Sequence, residues 1–401
     1  MAGKKAGLKR TLGLATITFY GLGTILGAGI YVLVGKVAGL AGVHVPMAFG
    51  IAAVIAALTG LSYAELSSRF PKSAGAAIYL NNAFGKRWLS ALVGWLVVCT
   101  GIVSSATIAN GFVGYLRIFV DVESWLAITI LVLVLGTLAA WGIKESAIAV
   151  IFITLIEISG LLLVLFVARE SFTGLPERIA EFSLPADFSA WIGIILGGFL
   201  AFYAFIGFED MVTMAEEVEN PRRNLPLAII LALVISTVLY MAIAVAAVIS
   251  MPLDELANSD APLAEIVEKA GYSPTIIGLI SLFAVINGSL VQVIMASRVI
   301  YGMGAFGGTP AMLTKINKKT QTPLIATILV STGVLIMALW LPIVQLAKTT
   351  SFITLIIFAL INFALIIIKR RGDGKGVSYP VIIPIVGFIL CVAILIFQIV
   401  I

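Results

Sequence analysis

Apolar stretches of about twenty residues recur along this chain, separated by short polar segments. A bilayer core about 30 Å thick takes roughly 20 apolar residues per helix. On that measure the pattern predicts eleven membrane spans, at 13–39, 45–67, 88–116, 125–143, 146–168, 190–216, 225–250, 274–302, 323–341, 350–368 and 379–400. Transmembrane β-strands would alternate polar and apolar over about ten residues, and no such alternation is present.

Two spans carry interruptions. The first contains TILGAGIYVLVG, residues 24–35, with glycines at 27, 29 and 35. Each glycine costs about 1 kcal/mol of helix stability relative to alanine, and an unwound turn in hydrocarbon strands peptide groups that no water satisfies. The sixth contains AFIGFED, residues 204–210. Both breaks fall in the first span of a five-span half. That correspondence predicts inverted repeats at about 11–168 and 190–368, with 379–400 as an extra span, all within a single transmembrane domain. Paired interruptions in corresponding segments point to a secondary transporter's mid-membrane site. Gly21, Gly23 and Gly60 read instead as close helix packing.

Three polar segments add detail. Residues 69–88 are too short and polar to span and read as a helix on the inner face or a re-entrant one. In AEEVENPRRNLP, residues 215–226, Pro221 is expected to end one helix and Pro226 to start the next. Residues 252–271 read as an amphipathic helix over the outer face, as a lid or a solvated loop helix.

Composition agrees with the pattern: 61% of the 401 residues are hydrophobic and 11% charged, with a mean hydropathy of +1.15. This is the composition of an integral membrane protein. With the N-terminus in the cytoplasm, 19 of the 25 Lys and Arg fall on the cytoplasmic side, as the positive-inside rule requires. The opposite loops are acidic, so the basic balance describes a membrane surface and no nucleic-acid partner. The expected location is the cytoplasmic membrane, multi-pass, with lipid as the surrounding partner. Cys99 and Cys391 lie inside apolar spans and His44 is the only histidine, so neither a disulfide framework nor a metal site is expected. No glycine-lysine nucleotide loop is present, and a membrane enzyme would need a nucleophile with an orienting base, which the single outer-end His44 makes remote. An enzyme is therefore not expected. A channel would want a symmetric pore and a filter motif, against which the paired breaks argue. The basic head MAGKKAGLKR is too short for a cleaved signal peptide.

The stretches GAGIYVLVG, YAELSSRFPKSAGAAIYL, AFIGFEDMVTMAEEVENPRRNLPLAI and MASRVIYGMGAFGGTP, with Thr322-Pro323 following, occur in this order over nearly the whole chain. They resemble the amino acid/polyamine/organocation transporter superfamily, of the bacterial or archaeal amino acid permease type, and the third is the most specific. The resemblance implies an all-α integral membrane protein with a leucine-transporter-like 5+5 inverted repeat, its first and sixth spans unwound at mid-membrane. Members usually have twelve spans. Eleven are read here, which keeps the ten-span core and puts a twelfth-span dimer contact in doubt, and the oligomeric state stays open. The implied function is secondary active transport of amino acids or related organic amines by alternating access. Proton coupling is the favoured expectation, with sodium symport or amino acid/polyamine exchange as alternatives, and no cofactor is expected beyond a proton or sodium ion.

On this reading the amides near Ala28, Gly29 and Ile30, with Ile25 and Gly27 beside them, form the positive end of a half-helix and receive a carboxylate. Carbonyls near Phe202, Ala204 and Phe205, at the break marked by Gly207, accept from an ammonium group. A zwitterionic α-amino acid matches both. Phe202, Tyr203 and Phe205 also offer flat surfaces for gating, and Tyr203 resembles in position an aromatic gate of the superfamily's arginine and polyamine exchangers. Asn287, with Ser104, Ser105, Thr107 and Ser289, is a candidate for the pocket wall. Glu157 lies mid-span, where many members carry a lysine, and is the expected coupling residue. Intramembrane acids usually mark ion or proton pathways. Glu209 is a second coupling candidate, or else caps a helix dipole. Glu216, Glu217, Arg222 and Arg223 are expected to pair and close the cytoplasmic pathway.

Overall fold

The computed structural model describes residues 10–72, 75–141, 147–304, 307–317 and 319–401, and its elements are helices joined by short turns. The helices are α1 (Leu14–Leu26), α2 (Ala28–Ala41), α3 (Val45–Arg69), α4 (Gly75–Phe84), α5 (Arg87–Leu116), α6 (Ser124–Trp141), α7 (Ala147–Val167) and α8 (Leu175–Arg178). They continue with α9 (Phe188–Ala201), α10 (Pro221–Ser250), α11 (Leu253–Asn258), α12 (Pro262–Lys269), α13 (Thr275–Met303), α14 (Leu324–Trp340), α15 (Ile343–Arg371) and α16 (Ile382–Val400). The basic residues Lys4, Lys5, Lys9, Lys144 and Lys318 lie outside the described residues.

Among the described residues nine helical stretches are long and apolar enough to cross a membrane. One of them, Leu14–Arg69, has 56 residues, about 84 Å at a helical rise of about 1.5 Å per residue, far more than one crossing needs. It turns at Gly42, whose φ of 57° is open to glycine and costly to other residues. Counted as two crossings, and with the shorter apolar helix Leu324–Trp340 added, it brings the total to the eleven expected. Trp88, Trp125, Trp141 and Trp340 sit at or next to helix ends and are strongly exposed, the arrangement of an aromatic belt at the membrane–water interface. This is a multi-pass membrane protein.

The helices pack as two groups. In one, α10 lies along α3 and against α1, while α9 packs on α2 and α3. In the other, α13 lies along α5, and α14 packs on α5 and α6. One apolar core lies mainly among α5, α6, α13 and α14, and the larger one joins the first group to Ile108 and Tyr115 of α5 and Ala284 and Val285 of α13. Helix α7 meets both α1 and α13, and α15 meets α5 and α3. Across the divide, small residues set the spacing: a Cβ at Gly111 would run into Val32, and one at Gly101 would stand 2.9 Å from that of Ala296 within the second group. The glycines read as packing sites behave so, since side chains at Gly21, Gly23 and Gly60 would collide with Met211, Thr154 and Leu233.

Four boundaries differ from the sequence reading. Pro221 starts α10 and Pro226 lies inside it. As the sixth residue of the helix Pro226 cannot bond the Arg222 carbonyl, and the Ser68 hydroxyl donates to that carbonyl instead at 2.9 Å. The tenth span begins at Ile343, earlier than the polar run around Lys348 suggested, because the Thr349 and Thr350 hydroxyls bond back to the Gln345 and Leu346 carbonyls at 2.8 and 3.0 Å. The single helix expected over 252–271 is two, parted at Ser259, whose side chain accepts the Ala261 N–H at 3.1 Å. The sixth span stays α-helical only to Ala201 and continues as 3₁₀ turns, Phe202–Phe205 and Phe208–Met214. Asp187 caps α9: its carboxylate accepts from the Ser189 hydroxyl and backbone N–H, which holds its pKa below the ordinary range.

Candidate functional site

The two breaks meet. Gly27 separates α1 from α2 with φ −44° and ψ −143°, and no side chain caps the amides that follow. Four N–H groups at a helix start lack intrahelical partners, so the Ala28–Ile30 end of α2 carries the partial positive charge that suits an anion. The side chain of Ala28 lies outside the described residues. On the facing strand of chain, Gly207 takes φ +130°, a conformation essentially restricted to glycine, and a Cβ there would collide with the Thr24 carbonyl. The Thr24 hydroxyl lies 3.0 Å from the Gly207 carbonyl. Gly29, just inside α2, lies against Ala204, and a Cβ on it would stand 2.6 Å from the Ala204 Cα.

Tyr240, from α10, reaches both breaks. Its hydroxyl lies 2.6 Å from the Ile25 carbonyl and 3.0 Å from the Ala204 carbonyl. A phenol has one hydrogen, so both carbonyls keep acceptor capacity. Nearby, the Ile206 N–H takes the Tyr203 carbonyl at 3.2 Å, which removes part of the free acceptor set expected at this break.

A cavity of about 30 Å³ opens between the two helix groups at the breaks. A buried water needs about 15 Å³ on this measure, so the space holds about two, and a larger ligand requires its walls to part. Of the residues expected at a substrate site, Ile25, Gly27, Gly29 and Tyr203 line it. Ile30, Phe202, Ala204, Phe205, Gly207 and Asn287 do not. Phe202 and Phe205 are core side chains, set edge-on to Phe358 at 5.7 Å and to Tyr240 at 5.1 Å between centroids. A 3₁₀ turn has three residues per turn, so Phe202 and Phe205, three apart, share one face, and Tyr203, a third of a turn away, turns to the cavity. Its hydroxyl bonds the Ser104 hydroxyl at 3.0 Å. The sequence reading missed Thr24, Ile108, Ile206, Val291 and Gln292 in the lining. Gln292, a polar residue five positions after Asn287 in an apolar span, carried the one signal that could have found it.

Glu157 is fully buried in α7. One carboxylate oxygen lies 3.5 Å from the Asn287 side-chain nitrogen, and the other has no hydrogen-bond partner among the described residues. The contact between this acid and the first span runs through its backbone, because the Tyr31 hydroxyl donates to the Glu157 carbonyl at 2.6 Å. Tyr115 in turn donates to the Tyr31 carbonyl at 2.6 Å. The link therefore joins α2, α5 and α7 around a carboxylate left to find its own counter-charge. Glu209 acts locally, where its carboxylate accepts the Gly207 N–H at 2.8 Å and holds the strained turn.

The expected charge pairing at the N-terminal face takes another form. Glu216 lies 3.7 Å from Lys72, between exposed side chains, and among the described residues no ion pair joins Glu216 or Glu217 to Arg222 or Arg223. Backbone groups make the contacts at this face. The Thr11 and Leu12 N–H groups donate to the Glu217 carbonyl at 2.9 and 3.1 Å, and Glu219 N–H returns to Leu12 at 2.9 Å. A geometric reason is plain: Asn220 is left-handed with φ 47°, which turns the arginines of α10 away from the glutamates before it. A second cluster was not foreseen. Glu65, fully buried, accepts from Arg69 at 2.7 Å, Lys369 at 2.6 Å and the Tyr379 N–H at 2.9 Å, tying α3, α15 and the segment before α16 together.

A family model described as amino acid permease matches residues 12–401. Among curated proteins, the chain is 29% identical to the branched-chain amino acid permease BcaP of Bacillus subtilis, over 92% of this chain and 83% of that one. It is 28% identical to the mitochondrial cationic amino acid transporter 3 of Arabidopsis thaliana, over 93% and 64%. It is 27% identical to the methylthioribose transporter of Bacillus subtilis, over 97% and 88%. The chain spans less than two thirds of the length of the plant and human cationic amino acid transporters it matches.

Proposed function

The chain belongs to the amino acid permease family, and on that premise we propose that it is a secondary active transporter carrying amino acids or related organic amines across the cytoplasmic membrane, N-terminus inside. The observation that carries this is the meeting of two broken helices at one small cavity on the seam between two helix groups. The uncapped start of α2 suits a carboxylate, and the carbonyls of Ile25 and Ala204 suit an ammonium group. A zwitterion satisfies both, and its arrival supplies partners for backbone groups that hydrocarbon cannot satisfy. Two helix groups that meet at this cavity support alternating access by movement of one against the other around that point. The two breaks, each in the first span of its half, support an inverted repeat of about 11–168 and 190–368. In this reading the relatives' substrates, branched-chain and cationic amino acids and methylthioribose, mark the range the family's site is shaped for.

We assign coupling to Glu157. A fully buried carboxylate with one unpartnered oxygen takes up a proton or a cation when the cycle offers one. Proton uptake is the assignment, because the side-chain group recorded beside its carboxylate is the Asn287 amide nitrogen, a donor and not an oxygen ligand for sodium. The test is uptake of radiolabelled amino acids into proteoliposomes under an imposed proton gradient, an imposed sodium gradient, or neither. Accumulation driven by the inward proton gradient supports the proposal. Accumulation that requires sodium transfers Glu157 to a sodium site, and no uptake of any amino acid or amine ends the transporter reading.

A further inference from the structure

Gln292 stands apart among the polar groups of the cavity. The Thr24 hydroxyl lies within bonding distance of the Gly21 and Gly207 carbonyls, at 2.9 and 3.0 Å. Ser104 and Tyr203 bond each other. Gln292 lines the same cavity and is only 8% exposed. Among the described residues no side-chain hydrogen bond is recorded for its carboxamide, which keeps some of its surface open to the cavity. An amide carries two donors and an acceptor, and a ligand that displaces water from it without replacing those bonds loses affinity.

The rest of the wall is informative by its chemistry. Ile25, Ile108, Ile206 and Val291 give it an apolar side, and among the described residues no carboxylate, ammonium or guanidinium group lines it. Gln292 stands one helical turn beyond Gly288 on α13, and Gly288 is the residue that faces Gly27 at 3.9 Å from its would-be Cβ. The carboxamide is therefore set about one turn away from the break that would hold the carboxylate and ammonium groups. That is the position of a substrate's side chain.

We propose that Gln292 determines specificity, selecting amino acids whose side chain is uncharged and ends in a hydroxyl or carboxamide. This rests on the transporter reading. An aliphatic side chain fits the apolar wall but leaves the amide unpaired, and a site with a buried hydrogen-bonding group rejects analogues that lack its partner. A cationic side chain loses its hydration and meets no counter-charge.

The experiment is uptake by the full-length protein in proteoliposomes, with tritiated glutamine, leucine and arginine as separate probes and serine, threonine, asparagine, valine and lysine as competitors. The wild type is expected to favour the hydroxyl and carboxamide class. Gln292→Leu should weaken that class by about 10- to 100-fold while leucine holds or gains. Gln292→Glu should admit arginine and lysine by supplying the missing charge, a gain that a merely destabilised protein would not produce. The proposal is overturned if the wild type prefers leucine or arginine, or if the ratios among the three probes stay unchanged in both variants. Uptake that persists with unchanged ratios sinks this inference alone. Uptake of none of the probes or competitors sinks the transporter reading together with it.

Discussion

The carbonyl of Thr24 occupies the space that a side chain on Gly207 would need. A residue in the first span thus dictates glycine in the sixth, and the two breaks hold one another in place. Gly207→Ala is expected to cost about 1–3 kcal/mol from backbone strain alone, with the collision added. Thermal unfolding in detergent should drop by several degrees. Gly27→Ala meets nothing nearer than 3.7 Å and serves as the comparison; an equal drop in both would remove the Thr24 contact as the cause.

Gly29 has a packing duty as well as a place in the cavity wall. Since a Cβ would stand 2.6 Å from the Ala204 Cα, and backbone does not yield as a side-chain tip does, Gly29→Val should lose both uptake and stability. Overpacking of this kind costs about 1–3 kcal/mol. Wild-type melting with lost binding would mean that the residue acts on substrate alone.

Tyr240→Phe removes the hydroxyl that reaches Ile25 and Ala204. The loss should be about 1 kcal/mol of stability and a several-fold fall in uptake, because the two breaks are no longer tied through α10. Thermal shift and initial rates read the two effects separately. A variant with normal rates would show that the tie is dispensable for the cycle.

Glu157→Gln mimics a permanently protonated acid. Substrate binding and exchange without net proton movement should survive, while accumulation driven by a pH gradient disappears. Asn287→Ala, which removes the amide beside the carboxylate, should change the pH dependence of uptake without abolishing it. Undiminished gradient-driven accumulation in Glu157→Gln would take the proton away from this residue.

At the N-terminal face, the backbone pairing of Thr11 and Leu12 with Glu217 makes a distinction between side chain and main chain. Glu217→Gln should leave cysteine labelling of the Phe208–Met214 segment unchanged. Leu12→Pro, which deletes an N–H donor, should raise it. The Glu65 cluster sets a third case: Glu65→Gln weakens the ion pairs with Arg69 and Lys369, a change worth about 3–5 kcal/mol where such pairs are buried, and should lower the thermal unfolding temperature by several degrees. Labelling that rises in Glu217→Gln instead would restore the carboxylate as the closing group.

The sequence by itself determined the membrane class, the eleven apolar stretches and the two breaks, because hydrocarbon demands long apolar helices and makes glycines within them conspicuous. Gly27 and Gly207 were legible for that reason. The tertiary structure decided which way side chains near those breaks face. Phe202 and Phe205 turn to the core while Tyr203 turns to the cavity, because the chain runs there as a 3₁₀ turn whose rotation no hydropathy pattern records. It also decided partners that stand far apart in sequence: Ala204 for Gly29, Asn287 for Glu157, and Lys369 for Glu65. A polar residue in an apolar span reveals its cost in the sequence. Whether another helix meets that cost, as for Glu65, or a cavity leaves it open, as for Gln292, depends on packing alone.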